Sequence, residues 1–191
     1  MNRYDLYRAL KCASTFMKSD RPHAGLHFDR HDDHLRISAT DGHGLIRVTV
    51  PGAAPSVAYT EKGWQLQISA CDDVLATLKP RAAMRGNTVE FELDDGRLKI
   101  RTGEVSIDRQ VTPTEIPFDK VTPSRGDGIG APVIGIDPLL IARIATGLKA
   151  LGWKSPHIGR WQFSEELGPI RFDAEIEGFG IVAAIMPGRL D

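Results

Sequence analysis

Hydrophobic side chains recur at three- and four-residue intervals in some stretches of this chain and alternate with polar ones in the stretches between. Leu6, Leu10, Ala13 and Met17 form one helical stripe behind Asn2, and Leu140, Ile144, Leu148 and Leu151 form another behind Asp137. A further helix is expected from Ala70 to Lys79, behind Ser69. Asn, Ser and Asp side chains accept the unpaired N–H groups of a first helical turn. Asp5 and Asp72 stand three residues past their caps, and Pro138 takes the first helical position, where its missing N–H is no loss. Between the helices the period is two. Leu35, Ile37 and Ala39 alternate with Arg36, Ser38 and Thr40, and Ile46, Val48 and Val50 alternate with Arg47 and Thr49. Asp41-Gly42 between these runs is a favoured hairpin dipeptide, since Gly accepts a positive φ without steric cost.

The three expected caps, Asn2, Ser69 and Asp137, lie 67 and then 68 positions apart, which marks a degenerate internal repeat. Each helix precedes three strand-like runs. HAGLHFDR and the two arms of the hairpin follow the first; NTVEFELDD, GRLKIRTG and EVSIDRQV follow the second; HIGRWQFS, GPIRFDAEIE and FGIVAAIM follow the third. WQLQIS and PVIGI read as opening strands before the second and third helices. The chain is thus three strand–helix–three-strand units in an α+β fold, the first unit lacking its opening strand. Glycine and proline crowd the stretch from Pro123 to Pro132. It has neither a GK[ST] ending nor a dinucleotide fingerprint, so a linker is expected there rather than a phosphate loop. The division is a complete two-unit domain in residues 1–123, a linker at 124–130, and half a domain in 131–191.

Composition narrows the function. The 191 residues are 26% charged and 41% hydrophobic with net charge −1, an ordinary globular balance. A generally basic nucleic-acid binder is excluded, but not a protein that gathers its cations on one face. Cys12 and Cys71 are too few for a disulfide scaffold, and no signal peptide precedes the first helix, so a cytoplasmic location is expected. No apolar run approaches the roughly 20 residues of a membrane span.

LRISATDGHGLIRVTV resembles the ATDGHRLA segment in the middle domain of the bacterial β sliding clamp, the processivity subunit of DNA polymerase III. IPFDKVTP, from Ile116 to Pro123, resembles the family's FPDYRRVLP with one residue fewer, and the terminal IMPGRL resembles its closing VMPMRL. Residues 1–123 correspond in this comparison to the middle clamp domain, and 131–191 to the second half of the last. The resemblance implies a clamp-like fold and a pocket where those three segments converge on a short apolar motif of a DNA polymerase or another partner. By position that pocket comprises Thr40, Gly42, His43, Leu45, Pro117, Lys120, Val121, Ala184, Met186, Pro187, Arg189 and Leu190. Gly44 stands where the family usually has Arg, and Gly188 where it often has Met, so side-chain wall is lost at both places.

The resemblance also implies helices that line a ring around duplex DNA, held without sequence preference. Arg8, Lys11 and Lys18 on the first helix, Lys79, Arg81 and Arg85 near the end of the second, and Arg143 and Lys149 on the third are the expected DNA-facing cations. Few acids are expected on these helices beyond their first turns. The alternative is a clamp-derived module that binds clamp-motif peptides without encircling DNA. Three units per chain leave one without an internal partner, so a homo-oligomer is expected, a tetramer first and a dimer next; otherwise the third unit folds back on the first.

Other chemistries fit less well. His23, His27, His31, His34 and His43 crowd beside Asp29, Asp32, Asp33 and Asp41. The spacing of His27, His31 and His34 would align them on a helix but scatters them on a hairpin, so no metal site is expected. Asp41 and His43 lack a nearby nucleophile, so neither catalytic residues nor a cofactor are expected.

Overall fold

The computed structural model describes residues 1–17, 24–52, 56–57, 63–80, 88–103, 105–114, 118–122, 136–154, 159–163 and 168–187. Helix α1 (Arg3–Ala13) opens on Asn2, whose side chain accepts from the Tyr4 N–H, and ends in a 3-10 turn, Ser14–Phe16. Strands β1 (Gly25–His31), β2 (His34–Thr40) and β3 (Gly44–Thr49) follow. After the short β4 (Ser56–Val57) and β5 (Trp64–Gln67) comes helix α2 (Ile68–Leu78). Its strands are β6 (Glu90–Asp94), β7 (Arg97–Thr102) and β8 (Val105–Gln110), followed by β9 (Thr112–Pro113) and the one-turn helix α3 (Phe118–Val121). Helix α4 (Pro138–Ala150), capped by the Asp137 side chain on the Leu139 N–H, leads to β10 (Arg160–Phe163), β11 (Ile170–Ile176) and β12 (Phe179–Ile185). The α+β order of a helix and three strands therefore occurs three times. The linker at 124–130 and most of PVIGI lie outside the described residues.

One cap differs from expectation. Helix α2 starts at Ile68 with Gln67 as its cap residue, two positions before Ser69, and the Gln67 side chain makes no capping bond. WQLQIS therefore gives its last two residues to the helix. Asp72 and Asp73 consequently lie beyond the first turn, both exposed.

The strands form two sheets. Eight strands run in the order β10-β11-β12-β3-β2-β1-β5-β9, and four in the order β4-β6-β7-β8. The third unit joins the first through the antiparallel pair β12 and β3, with Ala184 opposite Leu45 and Ala183 opposite Ile46. The sheet thus crosses the line between residues 1–123 and 131–191, and helix α1 packs against both α2 and α4.

Period-two alternation decides which face is covered. Phe28, Ile37, Ile46, Val48, Ile181 and Phe172 point inward beneath the helices, where they meet Leu6, Leu10, Ile144 and Leu148 in one core. Burial of such a side chain stabilises by about 1.5–3 kcal/mol. No helix among the described residues is long and apolar enough to cross a membrane.

Candidate functional site

The Thr-Asp-Gly-His turn is built from its own side chains. Asp41, 2% exposed, accepts the backbone N–H groups of His43 and Gly44 on one carboxylate oxygen, each at 2.9 Å. Thr40 donates its hydroxyl to the Gly44 carbonyl at 2.8 Å and accepts from the Gly42 N–H at 3.1 Å. Gly42 takes φ +88°, the left-handed geometry that the turn requires. The other Asp41 oxygen receives the Arg143 guanidinium of α4. Burial alone would raise the Asp41 pKa; the two backbone N–H groups and Arg143 outweigh it and hold the carboxyl below its ordinary value. The Met186 N–H donates to the His43 carbonyl at 3.0 Å, which ties the tail to the turn. Turn, tail and α4 are one hydrogen-bonded unit.

On the outer face of the eight-stranded sheet, Leu45 and Ala184 are cross-strand partners, and Val182 lies two residues along β12. Phe118 of α3 packs on them, and all but Val182 are buried. The Arg47 guanidinium carbon lies 3.7 Å from the centre of the Phe118 ring. Thr114, just before α3, bonds Gln65 at 3.2 Å, so the chain after β9 is held on this outer face. One row further along, Gly180 faces Thr49 and Glu175 and offers no side chain, and a depression of about 400 Å³ opens there, lined also by Arg160, Asp173 and Val182.

The structure brings together Thr40, Gly42, His43, Leu45, Ala184 and Met186. Gly42 and His43 are exposed, Met186 is 48% exposed, and Pro187 is half-buried beside it. Lys120 is exposed on α3. Pro117, Arg189, Leu190 and the Val121 side chain lie outside the described residues. Three contributors were not anticipated: Phe118, Val182 and Arg47. Phe118 fills the space over Leu45 that an open pocket would leave free. The only hint of it was its place inside IPFDKV.

Gly44 also has a local cause. A Cβ there would meet the Phe16 ring at 2.9 Å and the Ala184 carbonyl at 3.3 Å, so the position is filled from inside by Phe16.

The expected DNA-facing set needs correction at two positions. Arg8 is not a surface cation. It is 5% exposed, donates to Glu177 in the β11–β12 turn at 2.7 Å, and lies 5.0 Å from the Phe179 ring centre and 5.2 Å from that of Tyr4. Arg143 is bound to Asp41, with its side chain one-third exposed. Lys11, Lys79 and Lys149 are exposed as expected, but Asp72 and Asp73 are exposed on the same helical layer. Lys18, Arg81 and Arg85 lie outside the described residues. His31 and His34 are exposed cross-strand partners beside the Asp32-Asp33 turn, whereas His27 is buried in mid-strand, and no group of three or more possible metal ligands gathers among the described residues.

This is the fold of a sliding clamp. The DNA polymerase III β subunit of Thermotoga maritima matches the whole chain with a TM-score of 0.74 at 16% identity. The sliding clamp of Pseudomonas aeruginosa, solved with a ligand, matches it at 0.78 and 15%, and that of Borrelia burgdorferi, in complex with a natural product, at 0.73 and 11%. The likeness covers 100% of this chain, so it includes the joint between the first and third units. The chain spans 65%, 66% and 64% of those three structures. No protein-family model matches the sequence, and no curated protein does.

Proposed function

We propose that this protein is a sliding-clamp-like tethering factor, not an enzyme, which holds duplex DNA and docks DNA polymerase or another protein bearing an apolar linear motif. Its domains would be the two-unit 1–123 and the half-domain 131–191, sharing one sheet, and it would act in the cytoplasm as a homo-oligomer, a tetramer first and a dimer next. The observation that supports the docking part is the bond from the tail at Met186 to the Thr-Asp-Gly-His turn at His43, beside the Leu45–Ala184–Phe118 patch. Exposed, adaptable Met186 supplies apolar contact, His43 adjoins it, and Lys120 is exposed on the helix that carries Phe118; both offer groups able to bond a peptide backbone or an acidic end.

Met186→Glu tests this reading. The side chain is 48% exposed, so the fold should survive, while a clamp-motif peptide should lose affinity about tenfold or more, read by calorimetric titration. Equal affinity for both proteins would overturn the docking site.

One observation favours the alternative of a peptide-binding module that does not encircle DNA. Asp72 and Asp73 share the helical layer with Lys11, Lys79 and Lys149, so the described face is mixed in charge. Retention on closed circular DNA with release from linear DNA separates the two.

A further inference from the structure

The third unit has an unfinished side. Among the described residues β10 is paired on one edge only, with β11. Its Trp161 and Phe163 stand opposite Phe172 and Ile170, which belong to the buried side of the sheet, yet both are only half-buried. Above this side lies α4. Its Gly147 approaches Cys12 of α1, and its Arg143 reaches the β2–β3 turn, so those positions mark the flank towards the first unit. Ile141 and Ala145, both exposed, lie roughly 120° and 160° around the helix from Gly147, on the flank away from it. Ile141 is one of three large exposed hydrophobic residues among those described.

The first unit shows what such an edge takes. Its corresponding strand, β1, has its far side paired with β5, and α2 packs beside α1, both from the second unit. A unit of this fold is therefore completed by another unit of the same kind. In the third unit, no described element of the chain does this.

We infer that this edge, the open side of β10 with Trp161, Phe163, Ile141 and Ala145, is a self-complementary interface with the same edge of a second copy across a two-fold axis. An antiparallel partner must match faces, so Trp161 would stand opposite the second copy's Trp161 or Phe163. In the first of these registers Arg160 faces Gln162, and no like charges meet along the strand pair. Two cores, each open at one edge, then close on each other. The inference rests on the self-association proposed above and is independent of the peptide site.

Light scattering after size exclusion tests it with two exposed α4 variants of equal added charge. Ile141→Glu lies on the proposed interface, and Leu139→Glu points about 160° away from it around the helix. The wild type should show at least twice the 21.0 kDa chain mass at tens of micromolar. Ile141→Glu should raise the dissociation constant of the oligomer tenfold or more, towards monomer, and Leu139→Glu should leave the mass unchanged, with circular dichroism confirming that both fold. A monomeric wild type would overturn both the inference and the self-association. An oligomer that ignores Ile141→Glu, or responds equally to Leu139→Glu, would overturn the interface alone.

Discussion

Asp41 is the residue on which the site's geometry turns, since one carboxylate closes the turn with one oxygen and reaches α4 with the other. Its folded carboxyl sits below the ordinary value of 3.8, so its contribution is fully present above that value and is lost as the pH falls through the folded pKa. Asp41→Asn should cost about 1–3 kcal/mol at neutral pH and should flatten the acid limb of a denaturant-stability profile. A variant with an unchanged profile between pH 5 and roughly pH 3 would contradict this. Gly44 makes a second residue-scale case. Phe16 is fully buried and has no room to swing from a new Cβ at 2.9 Å, so Gly44→Ala should cost about 1–3 kcal/mol in thermal or urea unfolding. Gly44→Arg, which installs the residue usual in clamps, should cost no less. The turn itself was legible in the sequence, because Asp-Gly between alternating strands has one economical geometry. The reason for Gly44 was not, because it depends on a ring delivered from the end of another element.

At the scale of elements, periodicity located the three long helices and ten of the twelve described strands, and the caps at Asn2 and Asp137 are bonded as their side chains predict. Ser69 misled because a polar residue near a strand end suits a cap whether or not the helix has already begun. The elements missed were the short ones, β4, β9 and α3, which hold too few residues to show a period. A helical wheel also grouped Arg8 with Lys11, because it shows what one helix presents but not what another element brings to it. The β11–β12 turn brings Glu177, and the aromatic rings of Tyr4 and Phe179 enclose the guanidinium. Arg8 therefore joins the first unit to the third. Glu177 is 60% exposed, so the ion pair is worth little, and most of the effect resides in packing of the buried guanidinium against Tyr4 and Phe179. Arg8→Ala should cost about 1–3 kcal/mol, Arg8→Met should recover part of it, and Glu177→Gln should cost less than either, all by denaturant titration. Equal losses for Arg8→Ala and Glu177→Gln would show the charge pair to be the main term instead.

The whole molecule places α1, α2 and α4 over the sheets' inner faces and leaves the outer face of the eight-stranded sheet to the turn, the tail and α3. This separation would let the proposed DNA retention and the proposed peptide docking be perturbed independently. Among the described residues Lys11 of α1, Lys79 at the end of α2 and Lys149 of α4 are exposed cations, with Asp72 and Asp73 of α2 exposed as well. Each phosphate neutralised releases condensed counterions, so three contacts per chain give a log–log salt slope of about −3 for one protomer. Asp73 is ion-paired with Arg109 at 3.5 Å, and repulsion from Asp72 above all would make the proposed binding weaker than the cations alone would give. Replacing Lys11, Lys79 and Lys149 together by Glu should therefore abolish retention on closed circular DNA while leaving the melting temperature and peptide affinity within error of the wild type. Replacing Asp72 and Asp73 by Asn should strengthen retention and leave peptide affinity alone. Arg8 is kept in both variants, because a glutamate there would stand beside Asp5 and Glu177 and confuse lost DNA contact with lost folding. Retention that survives the triple change at low salt would mean that this layer does not face DNA, and the peptide-docking module without a ring would then be the better reading.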